Sequence, residues 1–372
     1  MDTNIEINIP TCLQAGIRII QMQQITTNKK PVVTVLMPVY NGEKYLKEAI
    51  NSILNQTFND FEFLIINDGS TDKSEEIICS YKDLRIKLIN NEVNLGIIKS
   101  LNKGIDLAKG KYIARMDADD ISLPKRLEIQ VKFMDKNPRI GIAGSWAKVL
   151  ENGKTQKYAK IISDPEKIKI TLLFRCLLIH PSIIIRKNLL EKNNLRYNLN
   201  HEHAEDYGLW NNAVKCFPIT NIKNALIQYR IHDSNTSKIQ SIKQKKTITQ
   251  LRTTLLKDNL NITPTEEDLL IHREVYKPED YKTNDFLKKE ELWLSKLIEQ
   301  NKITNFYKEP IFSETISQRW LQICSVNSNQ DWEIWKILWK SPLRRKLNFK
   351  DWRNWDTLIR FFLKCLIKKM QK

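Results

Sequence analysis

The chain has 372 residues, 41% hydrophobic and 28% charged, a globular composition with more length than one ordinary core needs and enough for two domains. No stretch approaches the ~18 consecutive apolar residues of a membrane span, and Asp2 and Glu6 stand where a secretory leader carries Lys or Arg, so the expectation is a protein that stays in the cytoplasm. The net charge of +17 asks for an anionic partner, whether nucleic acid, an acidic membrane or a charged substrate.

Residues 1–31 are polar and without clear periodicity, and read as an N-terminal extension. Val32–Pro38 is a short β-branched run that predicts a buried strand. Tyr45, Leu46, Ala49, Ile50 and Ile53 then recur at helical spacing within Glu43–Leu54. Phe61–Ile66 predicts a second strand, closed by the turn sequence Asn67-Asp68-Gly69-Ser70. A helix over Asp72–Tyr81, a strand over Arg85–Ile89 and a helix over Ile97–Ala108 follow. Lys111–Met116 predicts a fourth strand running into Asp117-Ala118-Asp119-Asp120, then a helix over Pro124–Asp135 and a strand over Ile140–Gly144. Such alternation specifies a Rossmann-like α/β architecture, an open and mostly parallel sheet flanked by helices. Ligands of such sheets bind beyond the carboxyl ends of the strands. Three of those ends, at 38–41, 67–69 and 117–120, carry polar or acidic clusters and should converge on one crevice.

Beyond Gly144 the alternation loosens. His180–Arg186 and Ile219–Ile231 read as strands flanking a helix over Ala204–Cys216, and from about Lys238 the pattern is helical only, with tryptophans at 293, 320, 332, 335, 339, 352 and 355. The expected organisation is an extension over 1–31, a sheet domain over 32–237, a helical C-terminal region over 238–340 and a basic amphipathic tail over 341–372. The six cysteines, at 12, 79, 176, 216, 324 and 365, form no C-x-x-C and no close pair, which argues against a zinc site or a disulfide framework.

Asp117-Ala118-Asp119-Asp120 is the sharpest chemical feature. In isolation it is a solvated turn or a helix cap; at the end of an apolar strand its carboxylates face the crevice, where hard oxygen ligands suit Mg²⁺ or Mn²⁺ bridging the phosphates of a nucleotide. Asp68 follows the second strand; capping is assigned to Thr71 or Asp72, which leaves the Asp68 carboxylate free to meet a base or ribose. Glu205-Asp206 opens a helix, where an acidic pair ordinarily complements the helix dipole. His180 and His232 are single histidines of the kind that more often serve structure than ligation.

The run Val33-Thr-Val-Leu-Met-Pro-Val-Tyr-Asn-Gly42 resembles the opening strand of family 2 glycosyltransferases, which have the GT-A fold. The likeness continues through Ser52–Thr57, Ile66–Asp72, Asn94-Leu95-Gly96, Leu101–Ile105, Ala108–Ala114, Met116–Asp120, Pro124-Lys125-Arg126 and Ala204–Trp210, in order, across about 32–235. The resemblance implies that Pro38, Tyr40, Asn41 and Asp68 hold the nucleotide of a nucleotide-sugar donor, a UDP-sugar first, with Asp117 and Ala118 beside the ribose. It implies a Mn²⁺ or Mg²⁺ ion on Asp119, completed by His232, and Asp206 as the base of an inverting displacement. It also implies a saccharide or lipid-linked saccharide acceptor and a part in bacterial surface polysaccharide synthesis, lipopolysaccharide or capsule. Asn67 stands where many relatives carry a first Asp, and Ser317-Gln318-Arg319-Trp320 lacks the Q-x-x-R-W spacing of processive members, so single additions are expected.

Residues 341–372 carry ten Lys or Arg against two Asp, +8 of the +17. Trp352, Trp355, Leu358, Ile359, Phe362, Leu366 and Ile367 recur at helical spacing among those charges. The segment 344–372 reads equally as a helix docking on an anionic membrane surface and as one packing on residues 283–340. A nucleotidyltransferase would need a Gly-rich phosphate loop after the first strand, and Pro38–Gly42 is not one. A nucleic-acid-binding protein would need a basic crevice, and this one is acidic, so no nucleic acid is expected.

Overall fold

The computed structural model describes residues 30–151, 154–232, 241–275, 283–327 and 332–370. The N-terminal extension expected over 1–31, except its last two residues, and the boundary expected near 237 lie outside them. The described residues begin with β1 (Val33–Val39), α1 (Glu43–Leu54), β2 (Phe61–Asn67), α2 (Ser74–Cys79), β3 (Ile86–Asn90), α3 (Ile97–Leu107), β4 (Tyr112–Arg115), β5 (Ile121–Ser122) and α4 (Arg126–Lys136). Then come β6 (Ile142–Glu151), β7 (Lys154–Ala159), α5 (Pro165–Thr171), β8 (Ile184–Arg186), α6 (Lys187–Lys192), α7 (Glu205–Ala213) and β9 (Ile219–Ile231). Among the described residues, α-helices follow: α8 (Ser241–Leu260), α9 (Glu266–Glu274), α10 (Asn284–Thr304), α11 (Ile311–Val326), α12 (Trp332–Lys340) and α13 (Trp352–Met370).

One sheet of order β3-β2-β1-β4-β8-β6-β9-β5 organises the first half, with β7 hairpinned onto β6. Where strand and helix alternate strictly, β3, β2, β1 and β4 are parallel; β8 then runs antiparallel to β4 and to β6. In register, Pro38 lies beside Ile66 and Val39 beside Asn67, while Leu36 pairs with Arg115. The loops that leave β1, β2 and β4 are therefore neighbours.

Every β1 residue is buried because the strand has a core on each side. Val33, Val35, Met37 and Val39 face Leu46, Ile50 and Ile53 of α1 and Leu127 and Met134 of α4. Leu36 points the other way, toward Ile98, Leu101 and Ile105 of α3. That second core does not stop at the sheet: it runs through Trp210 of α7, Leu256 of α8, Trp293 of α10 and Trp320 of α11 to Phe361 of α13.

Several expectations are corrected. His180–Arg186 is not one strand: His180–Ser182 forms a 3-10 turn, because Pro181 at its start fits a helical turn and has no N–H to give a ladder, and only Ile184–Arg186 pairs. The fifth strand does not end at Gly144 but runs to Glu151, alongside β9 and the exposed hairpin partner β7. Helix α2 starts at Ser74, and neither Thr71 nor Asp72 is its N-cap.

Candidate functional site

The convergence begins with the turn after β1. Asn41 adopts φ +49°, a left-handed conformation that Asn tolerates, and its side-chain oxygen accepts the Thr71 N–H at 2.8 Å while its own N–H donates to Ser70 Oγ at 3.0 Å. The ends of β1 and β2 are thus stitched together. Asp72 completes the seam, one carboxylate oxygen accepting the Glu43 N–H and the other the Ser74 N–H, both at 2.9 Å. Gly69, at φ +68°, passes so close to the next loop that a Cβ there would lie 2.6 Å from the Val93 carbonyl carbon.

Asp68 is not the free carboxylate expected. It is 3% exposed and accepts the Asn91 side-chain N–H at 2.7 Å, the Leu95 N–H at 3.0 Å and the Gly96 N–H at 2.9 Å. A buried carboxylate needs such donors, and the Asn94-Leu95-Gly96 loop, visible as a motif but not as a partner, supplies them. Asp68 still borders the crevice, with its loop fixed in place.

The turn after β4 holds the acidic cluster. Asp117, Asp119 and Asp120 bring carboxylate oxygens within 4.8 Å of one another. Asp119 Oδ2 lies 2.8 Å from His232 Nε2, so the end of β9 meets the end of β4 although 113 residues separate them. Asp117 is clamped by the buried Arg115 guanidinium; burial still lifts its carboxyl to about 6, with Arg115 opposing. Asp120 is 1% exposed, accepts the Arg230 N–H at 2.7 Å, and burial pushes its carboxyl well up. Arg230 also donates through Nε to the Asp119 carbonyl at 2.7 Å and lies 4.4 Å over the Tyr45 ring. Below the turn, the fully buried Arg126 donates to the Arg115 carbonyl at 2.6 Å. The acid-and-imidazole pair Asp119–His232, with further carboxylates at hand, is a donor set that fits Mn²⁺ or Mg²⁺.

The opposite wall comes from α7. Asp206, in its first turn, accepts the Tyr207 N–H at 2.6 Å and the Cys176 thiol at 3.4 Å. Burial raises its carboxyl. Glu205 is pushed to about 7 by burial and then by Asp206. His180 joins this wall; its Nε2 lies 2.8 Å from the Tyr197 hydroxyl, and burial keeps the ring neutral by holding its pKa well below the usual value.

Together these walls enclose a cavity of about 880 Å³. Pro38, Tyr40, Asn41, Asp68, Asp117, Ala118, Asp119, Asp206 and His232 all border it. Tyr40 stands at the rim, 52% exposed, with a ring face available for stacking. Arg115, Tyr229 and Gln244 also line the cavity, and no sequence motif marks them. An apolar strand gives no sign that its last residue is a buried arginine, and Gln244 arrives from α8, far along the chain.

The family model of Glycosyl transferase family 2 matches residues 34–203. An uncharacterized glycosyltransferase of Methanocaldococcus jannaschii is 43% identical over 232 residues, 58% of this chain and 76% of that protein. The UDP-Glc:alpha-D-GlcNAc-diphosphoundecaprenol beta-1,3-glucosyltransferase WfgD of Escherichia coli is 31% identical over 209 residues, 55% of this chain and 79% of that one. Among solved structures, S. aureus TarS 1–349 in complex with UDP-GlcNAc superposes with a TM-score of 0.53 at 19% identity, covering 85% of this chain and 93% of that one. At that identity the likeness is one of fold.

Proposed function

The chain belongs to glycosyl transferase family 2, and from that premise we propose that it moves a sugar from a UDP-sugar to a saccharide carried on a lipid diphosphate, one residue at a time, with inversion at the anomeric carbon. The observation that carries this reading is a single cavity with a metal-type donor pair, Asp119 and His232, on one wall and the half-buried carboxylate Asp206 on another.

Tyr40 and Asn41 at the rim, with the loop that Asp68 holds, would receive the nucleoside, and Pro38, Asp117 and Ala118 would border the ribose. Asp119 and His232 would hold Mn²⁺ or Mg²⁺, whose chemistry is to offset the charge gathering on the departing diphosphate. Asp206 accepts the proton of the acceptor hydroxyl while that oxygen bonds to C1; the C1–O bond to the diphosphate breaks on the opposite face, and UDP leaves with the electron pair. Burial raises the proton affinity of Asp206, which suits a base but demands that it start ionised. The lipid-linked acceptor follows from the likeness to the E. coli enzyme, whose name specifies a sugar on diphosphoundecaprenol. Such acceptors belong to bacterial surface polysaccharide synthesis on the cytoplasmic side, where nucleotide sugars are made.

The test is transfer from UDP-glucose, UDP-GlcNAc and a GDP-sugar to GlcNAc-diphospho-lipid, with Mn²⁺ and with chelator. Chelator-sensitive formation of one product of inverted configuration from a UDP-sugar is expected. Turnover of the GDP-sugar alone, or retention of configuration, would overturn the reading.

A further inference from the structure

Helix α13 has two apolar faces, and among the described residues only one of them packs into the core. Asn354, Leu358, Phe361 and Cys365 face inward, none more than 7% exposed, and the last three belong with Trp335 of α12 and Trp320 of α11 to the second core or its edge. The Trp335 ring meets Phe361 tilted and Phe362 edge-on, with centroids 5.4 and 5.1 Å apart. On the opposite side, at 100° per residue, stand Trp352, Trp355, Ile359, Leu363, Ile367 and Met370, from 48% to 80% exposed. The sequence offered docking or packing as alternatives; the helix is long and apolar enough on both sides to present a face for each.

The outward face is ordered rather than ragged. The Trp355 indole N–H donates to the Phe349 carbonyl at 2.9 Å, and the two rings lie 5.2 Å apart. Arg353, Arg360, Lys364 and Lys368 fill the flank between the two faces. At the end of α12, Trp339 is 52% exposed with the Arg344 guanidinium 4.2 Å over its ring. Among the described residues no helix is long and apolar enough to cross a membrane.

We propose that this outward face of α13 lies in the headgroup layer of an anionic bilayer, its apolar stripe toward the acyl boundary and its basic flank on the lipid phosphates. Charge selects that occupant. A second copy on the same face would set one strongly basic segment against another, since a two-fold contact is self-complementary. A nucleic acid would engage the cations but leave six outward apolar side chains in water. The inference stands on α13 and is read without donor or acceptor, so its failure leaves the transfer reading intact.

The experiment is co-sedimentation of the full chain with vesicles of phosphatidylglycerol and phosphatidylcholine, against pure phosphatidylcholine, at two salt concentrations. Two double variants accompany it: Lys364→Gln with Lys368→Gln, and Ile359→Ser with Leu363→Ser. All these positions are exposed, and a thermal melt confirms that the variants fold. The expected result is partition into the anionic vesicles alone, weaker in high salt, and lowered about thirtyfold by losing the two lysines, each acting near the surface. Loss of the apolar pair should weaken it as well. No partition by the full chain, partition by both variants as strong as that of the unaltered chain, or a dimer in sedimentation equilibrium that Ile359→Ser with Leu363→Ser dissolves would overturn the proposal.

Discussion

Asp206 is held by opposed influences. Burial raises its carboxyl, while the Tyr207 N–H and the Cys176 thiol stabilise the ionised form and pull it back. A base works deprotonated, so kcat should fall as pH drops through this group. Removing the thiol in Cys176→Ala should move that acid limb to higher pH, and Cys176→Ser, which keeps a donor, should move it less; a kcat–pH profile on the three proteins decides it. Asp206→Asn should bind UDP normally and lose transfer by ~10²–10⁴-fold, whereas an active Asp206→Asn beside a dead Glu205→Gln would shift the role to Glu205. Glu205 offers a stability test with a definite sign. Its folded pKa of about 7 lies above the ordinary 4.5, so the folded chain holds the proton more tightly. Its contribution is intact at low pH and lost as pH rises through 7. Glu205→Gln should therefore raise the melting temperature at pH 8, with little difference near pH 4.

At the scale of elements, the sites that could be read were those where one strand run ends in a polar cluster. Val33–Val39 and Phe61–Asn67 have the β-branched and aromatic density of buried strands, and their register brings Asn41 to Thr71 as the turn chemistry suggests. What could not be read was reciprocity. Nothing in Asn67-Asp68-Gly69 names the Leu95 and Gly96 amides as its partners, because the pairing depends on how β2 and β3 sit side by side. Likewise β7, Lys154–Ala159, is an exposed polar edge with no hydrophobic period to betray it. The Gly69 approach gives a sharp consequence: Gly69→Ala places a Cβ against backbone at a φ that L residues avoid, so both melting temperature and UDP affinity should fall together, by scanning and titration calorimetry.

For the whole molecule, the second core joins sheet and C-terminal helices. Truncation after Pro342 would remove Leu343, Leu347, Leu358, Phe361 and Cys365 from it, and a buried leucine or phenylalanine alone is worth ~2–5 kcal/mol. The truncated chain should melt well below the full one or fail to stay in solution, which a thermal scan reads directly. Sequence could show that α13 is amphipathic but not which of its apolar residues meet the core, because a wheel of apolar side chains says nothing of which neighbour arrives.

From β9, two residues before His232, Arg230 donates its backbone N–H to the Asp120 carboxylate and its Nε to the Asp119 carbonyl. Strands β8 and β6 stand between β4 and β9 in the sheet order, so these Arg230 bonds, together with the short β5–β9 pairing, close a bracket between the middle of the sheet and β9. A ligand that grips both ends of such a bracket cannot be held by a half-opened sheet. Its binding energy becomes folding energy for the entire domain, of about 2.7 kcal/mol at a hundredfold excess over Kd, and the amides of β9 should then exchange with solvent only when everything else does.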